Sequence, residues 1–152
     1  MPAGSEPRQP ALPRTWRPLG VRLAALVFGG GLLIVCAMAW VGFDDQIRDR
    51  FTTPQKGTLI ALGALMVLAL LGLSRSKVVA AGDRIVVVNG FRRRDYARAQ
   101  VVSVSLSRGA PWATLDLHDG TSVPAMGIQG SDGDRARTAV RELRAVLDAA
   151  TQ

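Results

Sequence analysis

The sequence predicts an α+β protein, with a two-helix transmembrane hairpin followed by a small antiparallel sheet or partial barrel that one C-terminal helix closes. Three observations predict it. Two long uncharged apolar runs stand close together, at residues 23–43 and 57–73. Past residue 77, apolar side chains recur at every second position over short stretches, which is the period of a strand. After Ser131 the spacing becomes helical, with one apolar stripe. The 48% hydrophobic content of the 152 residues is thus divided between a lipid-soluble part and a water-soluble part. The division expected is an arm at residues 1–18, the hairpin at 19–74 and a cytoplasmic domain at 75–152.

The arm, "MPAGSEPRQPALPRTWRP", is rich in Pro, carries Arg8, Arg14 and Arg17, and offers little that could pack, so it is expected to be disordered. Trp16 has two readings: an indole at the headgroup level just ahead of an apolar run, or a chance aromatic in a tail.

The run "LAALVFGGGLLIVCAMAWVGF" reaches roughly 31 Å as a helix and spans a bilayer core. The run "GTLIALGALMVLALLGL" reaches about 25 Å, with Lys56 at one end and Arg75 or Lys77 at the other able to snorkel across the shortfall. A cleaved signal peptide fits poorly, because the first run exceeds an ordinary h-region and Arg and Pro extend far upstream of it. A buried helical pair in a soluble protein is the other alternative, and so small a chain has little with which to cover two such runs. Ala25 with Gly29, and Gly57 with Ala61, place small residues at helix spacing where two helices could approach closely.

The intervening loop is net neutral: Asp44, Asp45 and Asp49 offset Arg48, Arg50 and Lys56. Arg8, Arg14, Arg17 and Arg22 precede the first run, and Arg75, Lys77, Arg84 and Arg92 to Arg94 follow the second, so the positive-inside rule places both termini in the cytoplasm at the inner membrane. The formal charge of +7 rests almost wholly on Arg, Lys56 and Lys77 being the exceptions. Such a balance suits anionic lipid or nucleic acid. The single Cys36 lies in the first apolar run, which excludes a disulfide framework within the chain.

In the last part, "VVAAGDRIVVVNG" reads as two strands joined at Ala81, Gly82 and Asp83. "VVSVSLS" alternates, with Val102, Val104 and Leu106 on one face and Val101, Ser103 and Ser105 on the other. In "PWATLDLHDGTSVPAM", Ala113, Leu115 and Leu117 share a side, and Asp119-Gly120 predicts a type I′ hairpin. A helix capped by Ser131 or Asp132 then sets Ala136, Ala139, Val140, Leu143, Val146 and Leu147 inward and Arg137, Arg141, Arg144 and Asp148 outward.

The run from Asp83 to Leu147, with its apolar strand ending in Asn89, Arg92 to Arg94, Val101 opening a strand, Asp119-Gly120 in a hairpin and Leu143 in the last helix, resembles the bacterial pleckstrin-homology-like domain of the actinobacterial low-molecular-weight antigen 6 group. The resemblance covers the last half of the chain and implies two N-terminal membrane spans ahead of this domain. The family's Pro-Trp ahead of the third strand is replaced by Ala97 and Arg98. The basic loop that phosphoinositide-binding members carry between their first two strands is expected to be missing, that link being Ala81-Gly82-Asp83.

Arg92, Arg93, Arg94, Arg98 and Arg108 are the candidate contacts for an anionic surface. If the run is extended, Arg92 and Arg94 face one way and Arg93 the other, a stripe and not a fork for one phosphate. The link from the second run to the first strand is too short to carry the domain more than ~20 Å from the leaflet, where anionic lipid attracts each Arg by about 1 kcal/mol. Phe91, Tyr96 and Trp112 are scattered and make no stacking platform for nucleic acid. His118 flanks a turn, and no second His or Cys in the domain completes a metal site or a nucleophile-base pair, so no catalysis, cofactor or metal is expected. Two functions remain: a membrane-anchored docking module for a protein partner, or a sensor of anionic lipid working through its arginine run.

Overall fold

The computed structural model describes residues 12–149. They form two compact units, one of which is Leu19–Ser74. The other joins residues 12–18 with residues 75–149. The expectation of disorder for residues 1–11 lies outside the described residues.

In the helical unit a continuous helix runs over Leu19–Gly42, built from α1 (Leu19–Ala24), a π turn (Ala25–Gly29) and α2 (Gly30–Gly42). A short α3 (Asp45–Arg48) leads to α4 (Thr53–Arg75), whose first turn is tied by Thr52 N–H donating to Gln55 Oε1 at 2.9 Å. Both long helices have the length and apolarity to cross a membrane. Phe28, Val41 and Ile60 are 76%, 77% and 73% exposed, so both helices leave large apolar side chains uncovered. The helices touch at Gly29, where an added Cβ would collide with Leu70 Cδ1. Gly57, by contrast, faces open space. At the far end Trp40 packs edge-on against Phe43 and Phe51, and Lys56 Nζ lies 5.8 Å above the Trp40 ring.

The second unit has two antiparallel sheets and one helix. Sheet order is β1-β2-β3-β4, from Arg14–Trp16, Lys77–Ala81, Arg84–Asn89 and Arg92–Ala97. The other sheet is β5-β6-β7, from Val101–Ser105, Trp112–Leu117 and Ser122–Gln129. The sheets do not close into a barrel. Helix α5 (Asp134–Asp148) buries the whole expected stripe, Ala136 through Leu147, against both of them.

Strand β1 corrects the reading of the arm. Arg14, Thr15 and Trp16 pair with Ala80, Val79 and Val78, and Trp16 is 7% exposed in the core. Neither the headgroup nor the loose-tail reading of Trp16 holds. A strand of three residues has no periodicity to detect, and its stabilising partners lie more than 60 residues away. The same strand argues against cleavage after a signal sequence, which would remove part of the core. It also changes which loop joins the first two strands: Ala81-Gly82-Asp83 links β2 to β3, while β1 and β2 are joined by the whole helical unit.

Three further local expectations fail for identifiable reasons. The register slips between Val101 and Ser103, so Val101 and Val104 both point inward and Val102 is 56% exposed, in place of strict alternation. At the Asp119-Gly120 turn only Gly120 has positive φ, at 81°, and Leu117 N–H bonds Thr121 O at 2.8 Å. That is a three-residue loop ending in a left-handed glycine and not a type I′ turn. Finally, the N-cap position of α5 is Gly133, because Ser131 and Asp132 are already used in the turn Gly130–Asp132.

A candidate docking edge on the four-stranded sheet

A sheet of n strands presents two edges, and two sheets present four. Two of the four, at β5 and β7, are bonded on their backbone, and a third, at β1, is held through its side chains beside a groove that Arg14 to Arg17 line with Gly127 and Glu142. Beside β1, Glu142 of α5 accepts from Trp16 Nε1 at 2.8 Å and from Arg14 Nε at 3.2 Å. Beside β5, Arg144 Nε donates to Val104 O at 2.9 Å. Beside β7, Asn89 completes the ladder with its side chain: its amide donates to Pro124 O at 2.6 Å and its carbonyl accepts from Met126 N–H at 3.0 Å. A Cβ on Gly127 would meet the Lys77 and Val78 backbone at 2.5 Å, so β7 is pressed directly on β2.

The fourth edge, along β4, is open among the described residues. β4 arises from a two-residue turn: Asn89 faces Arg92, Gly90 has φ 63°, and Phe91 does not share the positive sign, which is type II′ geometry. Such a turn closes on a hydrogen-bonded pair, so Asn89 with Arg92, Val87 with Arg94 and Ile85 with Tyr96 exchange bonds across β3 and β4. The N–H and C=O groups of Arg93 and Asp95 then point away from the sheet. Ala97 N–H, next in that series, is taken by Gln100 Oε1 at 2.8 Å, which seals one end of the edge.

The arginine run divides as its alternation requires. Arg92 and Arg94 lie on the face of Asn89 and Val87, both are exposed, and neither has an ion-pair partner among the described residues. Arg93 is on the other face in a two-bond pair with Asp95, both distances 3.1 Å. That hydrogen bond raises the Arg93 pKa and holds Asp95 below the usual carboxylate range. Arg98 is half-buried in the turn after β4, its N–H on Asp83 O. Arg108 is elsewhere, in the β5–β6 loop beside Arg137 and Gly133. The five predicted residues therefore do not make one patch: Arg92 and Arg94 stand together, and the others do not join them.

Sequence reasoning missed Glu142, which anchors the β1 side chains, Gln100, which closes one end of the β4 edge, and the bridging role of Asn89. Only Asn89 had a local signal, as a polar residue ending an apolar strand. His118 is exposed in its hairpin, with its backbone N–H on Gln100 O at 2.9 Å. Trp112 is half-buried in β6. Among the described residues no three His, Cys, Asp or Glu side chains are grouped to hold a metal.

An antiparallel seven-stranded, incompletely closed pair of sheets with a single closing helix is the architecture of a pleckstrin-homology-like domain. The comparisons agree: the bacterial PH domain family matches residues 75–145, and the chain belongs to that family. It is 33% identical over 137 residues to uncharacterized protein Rv1417 of Mycobacterium tuberculosis and to uncharacterized protein Mb1452 of Mycobacterium bovis, covering 87% of this chain and 84% of each relative. No solved structure matches it. Domains of this family are typically non-enzymatic.

Proposed function

We propose that this protein is a non-enzymatic, two-span membrane protein that presents its pleckstrin-homology-like domain at the cytoplasmic face of the cell membrane as a docking module for a protein partner. The open β4 edge carries this reading, because unpaired backbone in register is the feature by which sheets take up an extended segment.

Two observations support the topology. β1 precedes the first long helix and β2 follows the second, yet they pair residue by residue, which requires an even number of crossings between them. Counting Lys and Arg on the flanks then favours the cytoplasmic side. With Cys36 replaced by Ser, an impermeant maleimide should label Asp49→Cys in intact cells and Arg108→Cys only after permeabilisation; the reverse pattern sinks the orientation. Oxidation of a Thr15→Cys, Val79→Cys double variant should give an intramolecular disulfide, since these residues are directly opposed. For docking, a photocrosslinker placed at Arg93 should give a discrete adduct in living membranes and one placed at Val102 should not.

The second reading, a sensor of anionic lipid working through its arginine run, draws support from the unpaired Arg92 and Arg94. It predicts vesicle binding that survives high salt and tracks one headgroup, whereas weak binding erased by salt leaves docking ahead. A soluble fragment for that assay must retain β1, because one beginning at Val78 lacks Trp16.

A further inference from the structure

We propose that the β4 edge receives an acidic, extended segment of a partner protein, added as a strand whose alternate carboxylates meet Arg92 and Arg94. The inference rests on the docking reading above and names its partner chemistry. Two observations carry it beyond an open edge. The outward backbone groups belong to Arg93 and Asp95, so an incoming strand bonds to these residues while its side chains opposite Arg92 and Arg94 fall on one face, two residues apart. On that face the sheet supplies two uncompensated guanidinium groups, whereas on the other Asp95 already neutralises Arg93. Charge complementarity thus requires acidic residues at i and i+2 of the guest, and asks nothing charged of the residue between them. A strand rich in Lys or Arg is rejected by the same two side chains. The edge resists pairing with neutral aggregating strands for that reason, which is how charged edges keep proteins monomeric.

The test uses the full chain in nanodiscs of zwitterionic lipid, so that no anionic headgroup competes. The probe is a fluorescent heptapeptide, Thr-Glu-Val-Glu-Val-Glu-Val, read by anisotropy. It is compared with a version carrying Lys for Glu and with one N-methylated on the backbone face that would bond to β4. Saturable binding of the acidic peptide, weakened at least tenfold by R92E/R94E, by Lys for Glu and by N-methylation, is the expected result. Asp95→Pro removes an outward N–H without touching the β3 ladder and should weaken binding similarly. If the acidic and Lys peptides bind equally, strand docking stands and the acidic specificity falls. If N-methylation and Asp95→Pro leave binding unchanged, addition to the edge is wrong. If no peptide binds and β4 crosslinks only to a second copy of the chain, both are overturned, because the edge is then a self-association surface.

Discussion

The two edges of the four-stranded sheet are made of similar material and treated oppositely. β1 is three residues long and β4 is six, and both carry arginine. β1 buries an indole and gives its polar groups to Glu142, whereas β4 exposes nearly everything and spends one arginine on a neighbouring aspartate. The difference teaches that the two edges are held differently: the short one is tied down through its side chains by Glu142 of α5, far along the chain. The longer one is left accessible with a charge pattern of its own.

The β1 edge can be broken. Trp16→Ala should cost about 3 to 5 kcal/mol, read by urea-dependent pulse proteolysis of the full chain in detergent, since it removes a buried aromatic and leaves Glu142 without its indole donor. An unchanged midpoint would remove β1 from the core. Leu143→Ala, fully buried under both sheets, should cost about 2 to 5 kcal/mol in the same assay. Asn89→Ala should cost about 1 to 3 kcal/mol, because Met126 N–H and Pro124 O lose their partner where the sheets meet. The open edge should behave in the contrary way: Arg93→Ala should leave the midpoint unmoved, its pair with Asp95 lying in solvent.

The smallest effect is acid sensitivity. Hydroxyl donation from Ser103 and Ser122 holds Asp116 below the ordinary carboxylate range, and Thr121 does the same for Asp119. A folded pKa below the unfolded one contributes stability that is complete above the unfolded value of about 4 and is lost as pH falls through the lower folded value. Replacing Ser103 and Ser122 together by Ala should raise the pH of acid unfolding, while leaving stability near pH 7 reduced; equal acid midpoints would show that the carboxylate is not held by those hydroxyls.

Much of this was legible along the chain, and where it was not the reason is distance. Helical stripes and strand alternation repeat every few residues, so the burial of Leu143 and Ala136, the hairpin at Gly120 and the split of Arg93 from Arg92 and Arg94 could all be read locally. The bulge after Val101 could not, since a slip of one residue has no signature until the partner strand is known. The candidate site was half legible: the arginines were visible, but which edge they lie on depends on which other edges are covered.

By itself, then, the sequence determined two apolar spans, their flanking charge and an alternating segment ending in an amphipathic helix, because each is a periodicity or a count within a short window. Only the tertiary structure decided that Arg14 to Trp16 belong to the sheet, that Arg144 and Asn89 occupy two edges, that Glu142 ties down the side chains of β1 and that β4 is left free of such contacts among the described residues. Those are pairings between residues 35 to 128 positions apart, and they are set by which surfaces remain to be covered once the local elements have packed.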